Sequence, residues 1–227
     1  MVTEILRFEN RITVITGHYG CGKTNLAVNL ALELNKEGKR TALCDLDIVN
    51  PYFRSADFSK ELEQLGIEMI LPPFANSNVD VPTLTARVSA AINDPSIHLI
   101  LDVGGDDAGA AALGRYSADI KKQGYDMLYL VNAYRFLTQT AEEAIENMRE
   151  IEYASRLSVT ALLNSSNLAG ETTAETVNSS MEFAKKAAAL ADLPLFAAAE
   201  RSVADAVEFD RDKLFVIDRK VKTVWEK

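Results

Sequence analysis

Residues Gly17 to Thr24 read G-H-Y-G-C-G-K-T and fit the spacing G-x-x-x-x-G-K-[ST]. A loop of this composition is suited to holding phosphate. Gly17, Gly20 and Gly22 let the backbone turn tightly enough for several N–H groups to face one centre. A helix starting directly after the loop adds the positive end of its dipole. Lys23 can neutralise the outer phosphates of a nucleotide, and the Thr24 hydroxyl can ligate Mg²⁺. His18, Tyr19 and Cys21 occupy the remaining loop positions and belong to the same expected contact set. The competing reading, a glycine-rich turn that merely caps a buried helix, does not account for the Lys-Thr pair at its end.

Two acidic segments carry the second half of the chemistry. One is D-L-D-I-V-N-P-Y-F-R-S, Asp45 to Ser55; the other is D-V-G-G-D-D, Asp102 to Asp107. Carboxylates emerging beside a phosphate loop can complete a Mg²⁺ shell and orient an attacking water. Asp47 and Asp102 are the candidates, although aspartate is also common where strands give way to loops. Gly105, in D-x-x-G, can bring its N–H close to a terminal phosphate and so report its presence.

These residues need elements that bring them to one place. Short runs rich in Val, Ile and Leu are expected as strands buried on both faces: Arg11–Thr16, Arg40–Asp45, Ile67–Leu71, Ile97–Asp102, Met127–Val131, Val159–Asn164 and Leu193–Ala199, with Lys213–Ile217 as an edge strand. Helices are expected at Lys23–Lys36, Val81–Asn93, Ala108–Gln123, Thr138–Ser155 and Glu171–Ala191. Leu26, Leu30 and Leu34 set the register of the first, and Asp94-Pro95 ends the second. The alternation predicts a single α/β domain over residues 1–227: one doubly wound, mostly parallel sheet with helices on both faces. In such a sheet the site lies at the carboxyl ends of the strands, where the glycine loop and both acidic segments fall.

With these motifs in place, the chain resembles the MinD/ParA group of P-loop ATPases, which also includes amidotransferase-linked cobyrinate synthases and dethiobiotin synthetase. The resemblance covers nearly the full length. It implies ATP and Mg²⁺ as ligands, with Lys23 and Thr24 as the P-loop lysine and metal ligand. It also implies Asp47 as the residue that orients the hydrolytic water and Asp102 as the Walker B acid. Asn164, in L-L-N-S-S-N, matches the asparagine that reads the base edge in this group, with Asn132 as its competitor; no N-K-x-D guanine-reading motif stands there. Many members carry a second lysine after the first loop glycine, which reaches a partner's nucleotide across a homodimer. Here that position is His18, a shorter side chain only partly charged near neutral pH.

Composition bounds the remaining possibilities. A net charge of −9 disfavours nucleic acid and anionic lipid as partners, the basic stretch Arg211 to Lys227 reading as a solvated terminus. No apolar run approaches membrane-spanning length, and Met1 to Arg11 has no signal-peptide core, so a cytoplasmic protein is expected. The two cysteines, Cys21 and Cys44, form no C-x-x-C pair that would mark a cluster carrier. His98 reads as a core or rim residue of its strand. Tyr52, Phe53 and Arg54 can anchor a partner or a second substrate, and Glu142, Glu143 and Glu146 with Arg149 and Glu150 read as a solvated helix face. Three functions follow as expectations: an ATPase switch acting on a protein partner, an ATP-dependent small-molecule synthase, and a nucleotide-binding module that never turns over.

Overall fold

The computed structural model describes residues 9–46, 58–71, 81–105 and 107–220. The apolar runs become strands β1 (Ile12–Gly17), β2 (Thr41–Asp45), β3 (Glu68–Ile70), β4 (His98–Asp102), β5 (Asp126–Val131), β6 (Ala161–Asn164), β7 (Leu195–Glu200) and β8 (Leu214–Ile217). They form an eight-stranded sheet in the order β3-β2-β4-β1-β5-β6-β7-β8, and each pairing is parallel. The expectation of a mostly parallel sheet with the last strand at its edge therefore holds. β1 lies between β4 and β5, with Ile15 beside Asp102 on one side and Gly17 beside Leu130 on the other.

Period-two alternation assigns the residues of the central strands to two cores, with a smaller third cluster under β7 and β8. Ile12, Val14, Leu99, Leu101, Met127 and Tyr129 face a layer containing α3 (Val81–Asn93), α4 (Asp107–Gly114), α5 (Ser117–Gln123), α6 (Ala141–Ser155) and α8 (Met181–Ala191). Ile15, Leu43, Ile100, Leu128 and Leu163 face α1 (Lys23–Lys36), which buries Leu26, Ala27, Leu30 and Ala31, and α2 (Ser59–Gln64), which buries Leu62. A strand with apolar side chains on both faces cannot alternate polar with apolar, which is why these runs are nearly continuous in the sequence.

Two expected helices are each broken in two. Ala108–Gln123 is interrupted after Gly114, where a Cβ would lie 2.7 Å from the Ala154 carbonyl oxygen of α6 and the Ser117 hydroxyl bonds the Gly114 carbonyl at 2.9 Å. Glu171–Ala191 instead becomes α7 (Ala174–Ser179), opened by a Thr173–Thr176 capping box, and α8. The break at Ser180 coincides with its hydroxyl donating to Val177 O at 2.6 Å. Helix α2 escapes the pattern because one buried residue makes no apolar stripe. On α6, Glu143 caps its own helix with Thr140 and Glu142 pairs with Lys186 of α8 at 2.7 Å, so part of the acidic face is tied to a neighbouring helix.

The chain beyond β8 returns to α1 through side-chain pairing. Asn29 Nδ2 donates to Asp218 O, Asp218 N donates to Asn29 Oδ1, and Lys220 N donates to Asn25 Oδ1, each at 2.8 Å. Asn29 is buried, so removing its amide strands two backbone groups. Asn29→Ala should lower unfolding free energy by about 1–3 kcal/mol, read as a shifted urea midpoint at unchanged slope.

Candidate functional site

Gly17, Gly20 and Gly22 all have positive φ, at 142°, 75° and 94°, and Gly22 caps α1 in the left-handed region. The loop closes on itself through Cys21 N donating to His18 O at 3.3 Å, while Leu26 N donates to Gly22 O at 3.0 Å and starts the helix. Lys23, the first residue of α1, is 7% exposed, and its Nζ donates to His18 O at 3.3 Å. The ammonium therefore lies folded over the loop's own carbonyl, a weak partner that an anion can displace.

The neighbouring strands deliver two further loops onto this one. After β4, Gly105 comes so close that a Cβ would lie 2.2 Å from Gly17 O and 3.0 Å from Tyr19 N. After β6, Ser165 Oγ lies 2.9 Å from the place a Gly22 Cβ would take. The loops after β5 and β6 are knitted together by Ala133 N donating to Ser166 Oγ at 3.0 Å and Asn132 Nδ2 donating to Asn167 O at 3.4 Å. Asp45 and Asp102 end β2 and β4 side by side in register, at 0% and 1% exposure.

A family model described as NUBPL iron-transfer P-loop NTPase, of the ParA group, matches residues 7–91, which hold the glycine loop and the D-L-D segment. The match covers less than half of the chain, and over that stretch the chain is similar to this family. No curated protein matches it by sequence. Solved structures of like fold include FtsY from Mycoplasma mycoides, at 16% identity and TM-score 0.56 over 96% of this chain and 65% of that one. The signal recognition particle receptor FtsY from Elizabethkingia anophelis, in complex with GDP, gives 17% and 0.51 over 86% and 59%. The 54 kDa signal recognition particle protein from Aeropyrum pernix, also in complex with GDP, gives 19% and 0.50 over 82% and 40%. The chain thus spans less than two thirds of the length of each of these three, and at these identities the likeness is one of fold.

The structure brings Gly17 to Thr24, Gly105 and Asp102 to one end of the central strands. Asp47, Tyr52, Phe53, Arg54 and Asp106 lie outside the described residues, as does the side chain of Asp107. Asn164 is paired within the fold. Its side chain is 0% exposed; Nδ2 donates to Ser180 Oγ at 2.8 Å, and Oδ1 accepts from Ser166 Oγ at 2.6 Å and Ser166 N at 3.1 Å. That amide orders the loop after β6. Its competitor Asn132 is also buried, accepting from Tyr134 N at 3.0 Å.

Three groups absent from the sequence reading stand at the loop: Ser165, Asn167 and Arg135. The guanidinium of Arg135 lies where Gly20 lacks a side chain, with a Cβ there 3.2 Å from Cζ and from Nε. The signal available was position: Arg135 follows β5, one of the two strands flanking the phosphate loop, and the reading of that strand's end stopped at Asn132.

Electrostatics at the loop separate its members. Burial lowers the pKa of His18 below its ordinary 6.5, against a bond of its Nδ1 to Tyr19 O, and the charges of Lys23 and Arg135 push it the same way as burial. His18 is therefore neutral at physiological pH and does not replace the missing signature lysine as a cation. Burial raises the thiols of Cys21 and Cys44, the second above the usual range and helped by Asp45, so neither is a reactive thiolate.

Two predictions follow from this geometry. Gly105→Ala cannot be accommodated against Gly17 O without moving one backbone, so it should lower the thermal midpoint and increase amide exchange in both loops by mass spectrometry. The second concerns pH. His18 and His98 are both held below 6.5, chiefly by burial, so the unfolded chain binds protons more readily at each. The stability they confer is complete above about pH 6.5 and declines as pH falls through that value toward the folded pKa values. Replacing both with Gln should flatten the pH dependence of stability just below 6.5 while leaving the carboxylate-driven loss at lower pH.

Proposed function

We propose that the chain binds Mg²⁺-ATP at Gly17 to Thr24, hydrolyses it slowly, and uses the change to switch its affinity for a protein partner. The observation that carries this reading is the backbone contact between Gly105 and Gly17. A loop pressed against the phosphate cradle must feel what the cradle holds, and loops of this kind rearrange when a terminal phosphate leaves. Lys23, displaced from His18 O, meets the phosphates, and the loop's N–H groups with the α1 dipole supply the rest of the anion site.

The donor set fits magnesium: the Thr24 hydroxyl and the carboxylates of Asp102 and Asp47 are hard oxygen ligands. Asp102 ends β4 in register with Ile15, two residues before Gly17, which places it on the strand beside the loop. When bound, Mg²⁺ supplies charge neutralisation at the phosphates. Asp47 orients the attacking water, a role that rests on its place in D-L-D. The iron transfer named in the matched family model finds no support in the cysteines, since both of the two present are buried.

Guanine is the competing base, because two structures of like fold are complexes with GDP. Adenine is favoured by the N-S-S-N run that ends β6 where a guanine-reading motif would stand. Single-turnover hydrolysis of Mg²⁺-ATP and Mg²⁺-GTP, with affinities alongside, tests the reading. Lys23→Ala should weaken binding by about ten- to hundredfold. Asp47→Ala should bind ATP as wild type does but cleave it about 10²–10⁴ times more slowly. Tight binding with no cleavage by the wild-type protein overturns the switch and leaves a binding module.

A further inference from the structure

We propose that Arg135 is the second phosphate-binding cation of this site, supplied by the same chain from the loop after β5. The inference deepens the nucleotide-binding reading above and rests on it.

A polyphosphate carries several negative charges, and within the phosphate loop only Lys23 is cationic, because His18 is neutral. Arg135 is the group positioned to add to it. Its guanidinium packs against Gly20 at the middle of the loop, at the distances given above, in space that any side chain at position 20 would take. Among the described residues its buried Nε has no hydrogen-bond partner and no carboxylate forms an ion pair with it. A chain with 33 acidic residues and 24 basic ones offers an arginine many surface partners. Holding a guanidinium donor away from water and unpaired is unfavourable, and an incoming anion offsets that cost.

The loop that carries Arg135 is braced on both sides, so the cation is pre-positioned. Arg135 N donates to Asn132 O at 3.3 Å and Thr138 N donates to Arg135 O at 3.2 Å. The Tyr134 hydroxyl donates to Thr176 O at 2.8 Å, and Ala133 N is held by Ser166. Guanidinium suits this place better than ammonium, since its planar fork binds phosphate oxygens in pairs. The ligand class is accordingly the phosphate chain of a nucleoside di- or triphosphate.

The experiment is calorimetric titration of Mg²⁺-ATP into full-length wild type, Lys23→Ala, Arg135→Gln and Arg135→Lys at low and high salt, with thermal unfolding of each ligand-free protein. Arg135→Gln should bind about ten- to hundredfold more weakly, with a shallower salt dependence, and Arg135→Lys should recover part of the loss. The Lys variant keeps the result interpretable should the Gln variant fail to fold. Wild-type affinity and salt dependence in a folded Arg135→Gln overturn the proposal. So does an equal loss in both Arg135 variants that tracks a lowered thermal midpoint, since Arg135 would then only support the loop. A wild-type protein that binds no nucleotide sinks the nucleotide-binding reading itself, and with it this one.

Discussion

The contact on which the site depends is between two backbones. Gly105 and Gly17 approach so closely that a single methyl group would fall 2.2 Å from a carbonyl oxygen. That approach is possible because β1 is flanked by β4 and β5 in a parallel sheet, so that all three strands end within a few residues of one another at the same side. The phosphate loop is therefore enclosed by the loop after β4 on one side and the loop after β5 on the other. Side chains elsewhere in the sheet serve this arrangement: the two-faced apolar strands fix the register, and the register fixes how near the loops come.

Charge is distributed by the same geometry. The chain is acidic overall, yet the groups gathered at the phosphate loop are Lys23, Arg135 and a neutral His18. Among the described residues the buried acids are Asp102, at the end of β4 beside β1, and Asp45, paired with it at the end of β2 one strand further out. Positive charge therefore stands on the β5 side of the loop and carboxylates on the β4 side. Histidine at position 18 has a consequence for assembly: without a long cation there, a second copy has nothing to reach across with from that position.

Much of this was legible in the sequence, for identifiable reasons. Strands buried on both faces are continuous apolar runs, and seven of the expected runs plus the edge strand became β1 to β8 with ends shifted by a residue or two. The phosphate loop was legible because its glycines, lysine and threonine are each demanded by chemistry at a fixed spacing. What stayed hidden depended on tertiary contact. The breaks at Gly114 and Ser180 arise from α6 packing and from a hydroxyl turned into its own helix, neither of which leaves a periodic trace. Arg135 was hidden for a related reason: one arginine in a loop has no pattern, and its meaning comes from the missing side chain of Gly20, more than a hundred residues earlier.

Asn164 shows where positional analogy and local physics part. It stands at the end of β6, the place from which a base is read in proteins it resembles, and its type suits that task. Yet an amide has a limited number of donors and acceptors, and here both ends are committed to Ser180 and Ser166 in a fully buried setting. Releasing it would break its bonds to both hydroxyls, which keep Val177 O and Ala133 N as partners, and would strand the Ser166 N–H at a cost of about 1–3 kcal/mol. A residue in that position does more by holding the β6 loop than by leaving it, because the loop places Ser165 against Gly22 and Ser166 against Ala133. The asparagine's visible contribution is to hold the β6 loop, and with it the β5 loop that bears Arg135, against the glycine loop.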